Sequence, residues 1–577
     1  MATPVLLGGY AAKRCPVRVQ NDFSPEVETL KWSPSAEDLA RLRAGNDFEA
    51  MIFAQLASIH PECAQISTGS KADAIAATVA AMDADVGLIL GGWLPDDPLG
   101  GRTGRPDILI RVDGGYLPAD VKNHKTMGPA AKASTVLSPL SRPSSRRPVT
   151  ALTTATSHRF DDGMQLAHYT RMLQACGRHP GDEFLIGAVL GTSEVSLDGH
   201  APTERMFVWH DLSERVATTY SRRFGKAKRS LLERYDHEFR FRVKVAEHAL
   251  QIIGREDDPE PLVTPIGQAE CGTCPYEVPC AEAMGDDPSA AITVGRLNTR
   301  EWLTLRSLGV ATTLELADLD PDDTAFFDLY AEEVAHHSRE NARKRLVVAI
   351  ERAAMIRDGI EFWPNSDAPV EVPTATIEID LDVESDQHGR VYMWGACIRR
   401  GADDAWATYI SDFTAWDPLD NATEYALASR FVEWLRSQRA DAVANGGTLR
   451  VFHWSHPEWS NLKRILGADA VRDLIGHGGS DGLDGYHAGV FIDLEKVFKR
   501  HFTTLRGTSL KKVAPLFGFH WHVPDPGGDV SQTYLSTIYT SPDESKVAAA
   551  KAWLLSYNED DNRAMTVIRD GMRAWRP

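Results

Sequence analysis

Asp107, Asp120 and Lys122 sit in two apolar runs separated by turn residues, a placement that can do metal-assisted chemistry. Asp107 ends Gly-Arg-Pro-Asp just before Ile108, Leu109 and Ile110; Asp113-Gly-Gly follows, and the return run carries Asp120-Val-Lys122. A two-residue turn at Asp113-Gly114 sets Asp107 opposite Asp120, whereas a turn at Gly114-Gly115 sets it opposite Lys122. Side chains alternate along a strand, so in both cases the three share one face. Facing carboxylates repel, and a divalent cation between them removes that penalty. A second acidic pair, Asp382-Val-Glu384, closes a strand over Thr376 to Glu384 in which Ile377, Ile379, Leu381 and Val383 alternate with acids. Two carboxylates on one strand face are what two-metal phosphodiester chemistry requires; the rival reading is an acidic, solvated face in a domain that only binds nucleic acid.

Cys15, Cys271, Cys274 and Cys280 offer a third centre. A Cys-x2-Cys turn lets two thiolates reach one metal, Cys280 adds a third, and Cys15, between Arg14 and nearby Arg18, can fill the remaining position. Four thiolates suit zinc or an iron–sulfur cluster. Cys63, Cys176 and Cys397 read as ordinary buried thiols.

The elements that must position these residues follow from periodicity. Asp38 to His60 and Gly163 to Cys176 read as helices, Pro106 to Lys122 as a hairpin, and Phe184 to Gly191 and Met206 to Asp211 as strands. The Ser, Pro and Arg-rich stretch from about Thr126 to Arg159 reads as a mobile loop. The basic run from Arg222 to Lys244, which includes Arg223, reads as a solvated helix face or a nucleic-acid patch. Leu305, Leu308-Gly-Val310 and Leu314 suggest two short helices around a glycine turn. A helix spans about Lys551 to Trp575 and carries Tyr557 and Asp561 four apart, on one face.

With 577 residues, the chain exceeds one ordinary core. Three segments are expected: 1–290, 291–369 and 370–577. The net charge of -19 argues against broad, nonspecific adhesion to nucleic acid and leaves local patches to do the binding. The sequence shows no signal-like N-terminus and no run of about 18 apolar residues, so a cytoplasmic protein without a membrane span is expected. Without a Gly-x4-Gly-Lys-[Ser/Thr] motif, any ATP-driven unwinding must come from a partner.

The order Asp107, Asp120-x-Lys122 and Gln165-x3-Tyr169, with Glu49 upstream in Gly45-Asn-Asp-Phe-Glu49, resembles the RecB group of PD-(D/E)XK nucleases. With the cysteines added, residues 1–290 are similar to the members that carry an AddB-type iron–sulfur staple, CRISPR-associated ones included. The resemblance implies a restriction-endonuclease-like core in which Asp107 and Asp120 bind Mg2+ or Mn2+. It also implies that Lys122 positions the attacking water, Glu49 is an extra ligand, and Gln165 and Tyr169 complete the site. By the same resemblance, Cys15, Cys271, Cys274 and Cys280 hold a 4Fe-4S cluster. Residues 291–369 resemble a helix-hairpin-helix connector. Residues 370–577 resemble the DEDD exonucleases of the RNase H-like fold, in particular the YprB-like branch. That implies metal binding by Asp382, Glu384 and Asp561, with Tyr557 orienting water. The middle motif departs from the pattern, so Glu458, in His453-Trp-Ser-His-Pro-Glu458, must stand in for an aspartate. Asp493 and Lys511 are expected as secondary polar contacts.

The expectation is therefore an α/β multidomain, metal-dependent DNA nuclease, an exonuclease on single-stranded ends serving repair, recombination or defence. In-line attack of water would leave a 5′ phosphate and a 3′ hydroxyl. The alternatives are a DEDD-type 3′ to 5′ exonuclease on DNA or RNA through the C-terminal domain, and a non-catalytic adaptor for a helicase or CRISPR machinery.

Overall fold

Alternating apolar residues build two sheets, and helices cover the faces that carry the acids. A computed structural model describes the chain apart from residues 1–3, 26, 28–29, 34–35, 68, 196–203, 222–224, 335–338, 388, 402–406, 456, 477–488 and 577. Two compact units divide it. The first comprises Met1–Ala291, Leu297–Thr312 and Leu319–Val347; the second comprises Ile292–Arg296, Thr313–Asp318 and Val348–Pro577.

Along the first 291 residues run α1 (Pro16–Phe23), α2 (Ala36–Ile59), β1 (Ala64–Gln65), α3 (Lys71–Asp83), β2 (Leu88–Leu90), β3 (Ile108–Val112) and β4 (Gly115–Val121). Then come β5 (Met127–Pro139), β6 (Arg147–Thr154), α4 (Thr156–Ala175), β7 (Ile186–Val195), β8 (Glu204–Asp211), β9 (Ala217–Ser221), β10 (Gly225–Arg229), α5 (Leu231–Ala249), α6 (Glu277–Met284) and α7 (Pro288–Ala291). An eight-stranded sheet has the order β1-β2-β3-β4-β7-β8-β5-β6, with β4 and β7 parallel. The register Ile108↔Ala119 to Val112↔Gly115 leaves Asp113-Gly114 as the turn, and Gly114 takes φ +85°, which a residue without Cβ adopts freely. One residue before β3, Asp107 thus falls opposite Asp120. Leu117, Ala119 and Val121 pack with Ile52 and Leu56 of α2, and Tyr116 packs with Tyr169 and Met172 of α4. Alternation then turns Asp120 and Lys122 toward α4.

The stretch read as a mobile loop is instead the β5/β6 hairpin, with β5 also paired to β8. β-branched Thr135, Val136, Val149, Thr153 and Thr154 favour extended backbone, and Pro148 is tolerated because β6 is the edge strand. The basic run is likewise not one helix. Lys226, Lys228 and Arg229 lie on β10 of a two-stranded ribbon with β9, and the run continues into α5. Arg222 and Arg223 lie outside the described residues.

Helices α8 (Thr299–Ser307), α9 (Thr313–Ala317), α10 (Thr324–Glu333) and α11 (Arg339–Arg357) fill the intervening stretch and are shared between the two units. Gly309, at φ +87°, ends the first of them.

The second unit continues with β11 (Phe362–Pro364), β12 (Ile377–Ser385), β13 (Val391–Arg400), β14 (Thr408–Ile410), α12 (Asn421–Ala444), β15 (Leu449–His453), α13 (Pro457–Leu466), α14 (Arg472–Ile475) and β16 (Phe491–Asp493). It ends with α15 (Leu494–His501), β17 (Phe502–Thr504), α16 (Leu510–Val513), α17 (Gly528–Thr540) and α18 (Glu544–Ala574). Its five-stranded sheet has the order β14-β13-β12-β15-β16, with β12, β15 and β16 parallel. Ile377, Ile379 and Leu381 pack with Leu427 and Phe431 of α12. The opposite, acidic face of β12 lies under α18, so it is not the solvated face that its composition allows. No helix among the described residues is long and apolar enough to cross a membrane.

Candidate functional site

In the first unit, Asp120 is fully buried, and the Lys122 ammonium 3.1 Å from its Oδ2 is its counter-charge. Asp107 accepts from the Val121 N–H at 2.8 Å. Burial and then Asp120 push the Asp107 carboxyl well above its ordinary range, against the pull of Lys122. Burial alone would lower the Lys122 ammonium, but Asp120, Tyr10 and Asp107 reverse the sign and raise it. On α4, Gln165 donates to the Tyr169 hydroxyl at 3.1 Å, and burial followed by Asp120 and Asp107 raises the Tyr169 phenol. Glu49, on α2, stands farther out and half-buried, 3.6 Å from the Arg105 guanidinium. It still contributes to the shift of Asp107.

Two groups here escaped the sequence reading. Lys13, in a 3-10 turn over Ala11–Lys13, donates to Gln165 Oε1 and to the Asp161 carbonyl, both at 3.3 Å; burial, then Lys122, lowers its ammonium to about 8. His124, two residues beyond Lys122, meets Asp162 of α4 at 3.0 Å and stacks on His158 with ring centroids 4.0 Å apart. Asp162, Gln165 and Tyr169 are spaced three and four apart, the signal for one helix face that reading only the last two left unused.

The four cysteines converge within this unit. Cys15 caps α1, while Cys271, Cys274 and Cys280 lie at or beside the start of α6. Polar hydrogens point at the sulfurs: Gln268 Nε2 toward Cys15 at 3.5 Å, the Gln268 N–H toward Cys271 at 3.3 Å, and Asn21 Nδ2 toward Cys280 at 3.6 Å. Burial and then Cys274, with Cys15 and Cys271 adding, push the Cys280 thiol up to about 11. The electrostatic influence of three of these thiols on the fourth shows them as neighbours. No three of the four sulfurs lie mutually within 4.8 Å, wider than the ~3.8 Å edge of a zinc tetrahedron with bonds of about 2.3 Å.

In the second unit, Asp382, Glu384 and Asp561 bring three carboxylate oxygens within 4.8 Å of one another, the one such group among the described residues. Asp382 is half-buried and the other two are buried. Asn558 donates to Asp382 at 2.8 Å, and Trp521 donates to Asp561 at 2.7 Å. Tyr557 joins them through Asp561, and its hydroxyl also takes the Lys511 ammonium. Burial and then Asp561 push the Glu384 carboxyl up to about 8. Burial moves Asp561 up to about 6 despite Lys511 and Trp521. Asp382 rises too, through burial and then Asp561, Glu384 and Glu458. Three carboxylate oxygens this close make a donor set that could hold a divalent cation.

Glu458 is not among the three. It lies in the first turn of α13 with its carboxylate 3.2 Å from His453 Nδ1, and Asp493 sits level with His453 on the next strand. Its influence on Asp382 is electrostatic. The other two acids of β12 are neutralised by arginines: Asp380 by Arg569, and Glu378 by Arg573 at 2.7 Å and Arg399 at 2.7 Å.

The family model of the RNase_H superfamily (RNase_H_2) matches residues 381–573. The C-terminal domain is RNase H-like. The matched segment begins at the strand that carries Asp382 and Glu384 and ends on the helix that carries Tyr557 and Asp561. This superfamily is generally one of nucleases and other phosphodiesterases, which is consistent with an enzyme acting on nucleic acid with a divalent metal. Neither the curated proteins nor the solved structures compared with the chain include a match.

Proposed function

We propose that the chain is a metal-dependent nuclease whose RNase H-like domain trims nucleic acid strands from the 3′ end at Asp382, Glu384 and Asp561. The observation that carries this is the convergence of three carboxylates within 4.8 Å in the matched segment. Mg2+ or Mn2+ bound there would supply the charge that stabilises the transition state of phosphodiester hydrolysis. Asn558 and Trp521 hold the rotamers of Asp382 and Asp561, which keeps the acids preorganised. The Tyr557 hydroxyl, fixed between Lys511 and Asp561, is placed to orient the attacking water. In a Lys122→Ala background, Asp382→Ala should cut release of nucleotides from 5′-labelled single strands by about 10²- to 10³-fold or more. Unchanged release would sink this reading.

A second centre in the same chain is favoured by Asp107, Asp120 and Lys122. Two buried acids face each other there with one lysine between sheet and helix, on a parallel β4/β7 pair covered by α2 and α4. This supports the RecB-like PD-(D/E)XK reading, with single-stranded DNA ends as the substrate and the cysteines holding a 4Fe-4S cluster as a structural staple. Lys122 would offset charge on the phosphate, with Gln165 and Tyr169 lining the far side. Lys122→Ala should abolish cleavage of end-labelled DNA by this centre while leaving the visible cluster absorbance unchanged. Protein purified anaerobically with stoichiometric zinc and no labile sulfide would remove the cluster. Tight DNA binding without turnover in either metal would favour an adaptor role beside a helicase or defence complex.

A further inference from the structure

The N-terminal segment just before Cys15 carries a feature that the hydrolytic groups do not use. Tyr10 is 48% exposed, an unusual position for an aromatic ring beside a buried acid pair. Three cations surround its ring: Lys13 Nζ at 4.5 Å from the centroid, Arg14 Cζ at 5.7 Å and Lys122 Nζ at 6.0 Å. Arg14 is drawn off toward Glu270, at 3.7 Å. Among the described residues Lys13 donates hydrogen bonds to neutral acceptors, Gln165 Oε1 and the Asp161 carbonyl, with the carboxylates of Asp161, Asp162 and Asp120 acting on it from farther off. Two lysines held near each other repel, and an anion between them relieves that repulsion. A half-exposed ring with cations over it offers, on its open part, a surface for a base and, beside it, charge for the adjoining phosphate.

We propose that Tyr10 and Lys13 form a subsite for one unstacked nucleotide, Tyr10 stacking on the base and Lys13, together with Lys122, taking the adjoining phosphate. This rests on the reading of Asp107, Asp120 and Lys122 as a nuclease centre. It deepens that reading by giving the centre a reason to select single strands, because a base inside a duplex is already stacked on its neighbours. Cys15, two residues after Lys13, ties the segment to the cysteine-bearing end of the same unit, so the clasp sets where the subsite stands.

The test is photocross-linking of the full-length protein, without Mg2+ or Mn2+, to a single-stranded oligodeoxynucleotide carrying 5-iodouracil, with the adduct mapped by peptide mass spectrometry. The adduct should fall on Tyr10, persist in Tyr10→Phe, and be lost in Tyr10→Ala. Annealing the oligonucleotide into a blunt duplex should remove it. Lys13→Ala should lower the yield at Tyr10 and reduce the slope of log yield against log salt by about 0.7, one phosphate contact on a single strand. Adducts on other aromatic residues only, equal yield from duplex, or a salt slope unchanged by Lys13→Ala would each overturn the subsite. In an Asp382→Ala background, cleavage that survives Lys122→Ala would instead remove the hydrolytic reading, while the Tyr10 adduct is read on protein that keeps Lys122, so the two failures are distinguishable. Should Tyr10→Ala not fold, the wild-type and Tyr10→Phe maps decide the matter alone.

Discussion

Glu384 and Asp561 report on their own occupancy through their protons. Their carboxyls are raised to about 8 and about 6, so without a cation the folded chain holds protons there that an unfolded chain releases nearer pH 4 to 5. The sign follows: with more protons bound in the folded state, stability of the metal-free domain falls as pH rises from about 4 toward about 8. A divalent cation must displace these protons, so its affinity should climb by roughly tenfold per pH unit for each proton released, and level off above the raised values. Titration calorimetry with Mn2+ from pH 6 to 8 should show that rise, with proton uptake by the buffer. A flat affinity would mean that the three acids do not bind the metal. Asp382→Asn should lower the affinity at pH 8 by at least about tenfold, since one charged ligand is lost.

At the scale of elements, α18 and β12 run antiparallel and mesh by their repeats. Four residues of helix advance about 6 Å and two residues of strand about 6.8 Å, so partners recur nearly in step. Arg573 meets Glu378 and Arg569 meets Asp380 in that step, whereas Asp382 falls outside it and is met by Asn558, farther back along the helix. Arginines close the first two rungs, whereas the later rungs hold acids without a strong ion pair, and it is there that a metal fits. Burial would raise Glu378, but Arg573, Arg569 and Arg399 together bring it down to about 2. Its contribution to stability is therefore complete above the ordinary glutamate range and is lost as pH falls through about 4 toward about 2. Glu378→Gln should destabilise the C-terminal domain by about 3 to 5 kcal/mol, because it leaves buried arginines short of a partner. Slowed hydrogen exchange at β12 and α18 should be lost in that variant; unchanged protection would show that the arginines are neutralised by Asp380 and Asp570. Gly395 supplies the close approach on the neighbouring strand, since a Cβ there would come within 1.6 Å of Asn558 Oδ1. Gly395→Ala should therefore push Asn558 off Asp382 and lower turnover while Tyr557 and Lys511 stay paired.

At the scale of the molecule, each of the two units carries its own acidic cluster, and the four cysteines proposed to form a staple belong to the first. Cys15→Ser should remove iron and visible absorbance and loosen the first unit, leaving Mn2+ binding at Asp382, Glu384 and Asp561 unchanged. Parallel loss of that binding would show that the two units do not stand independently. A net charge of -19 means that nucleic acid meets a repelling surface except where cations gather. Raising salt should therefore weaken strand binding less steeply than for a basic protein of this size, with a slope set by a few local contacts.

Residue type and spacing put Asp107, Asp120 and Lys122 on one hairpin face, Gln165 and Tyr169 on one helix face, Asp382 with Glu384, and Tyr557 with Asp561, while the family resemblance singled out the two helical pairs as site residues. These are local, because strand and helix periods fix which side chains share a face whatever the rest of the chain does. The 126–159 hairpin was illegible for the opposite reason: its Ser, Pro and Arg content matches a loop, and only pairing with β8 makes it a strand. Lys13, Tyr10 and the ion-paired rungs under α18 depend on contacts more than a hundred residues apart, which no local period encodes. Glu458 shows the same limit, since its neighbour His453 and the reach of α13, not its place in a motif, decide which acid cluster it joins. Tertiary structure alone decided which acids are neutralised and which are left for a metal, because that is set by the cations that packing delivers across long sequence separations.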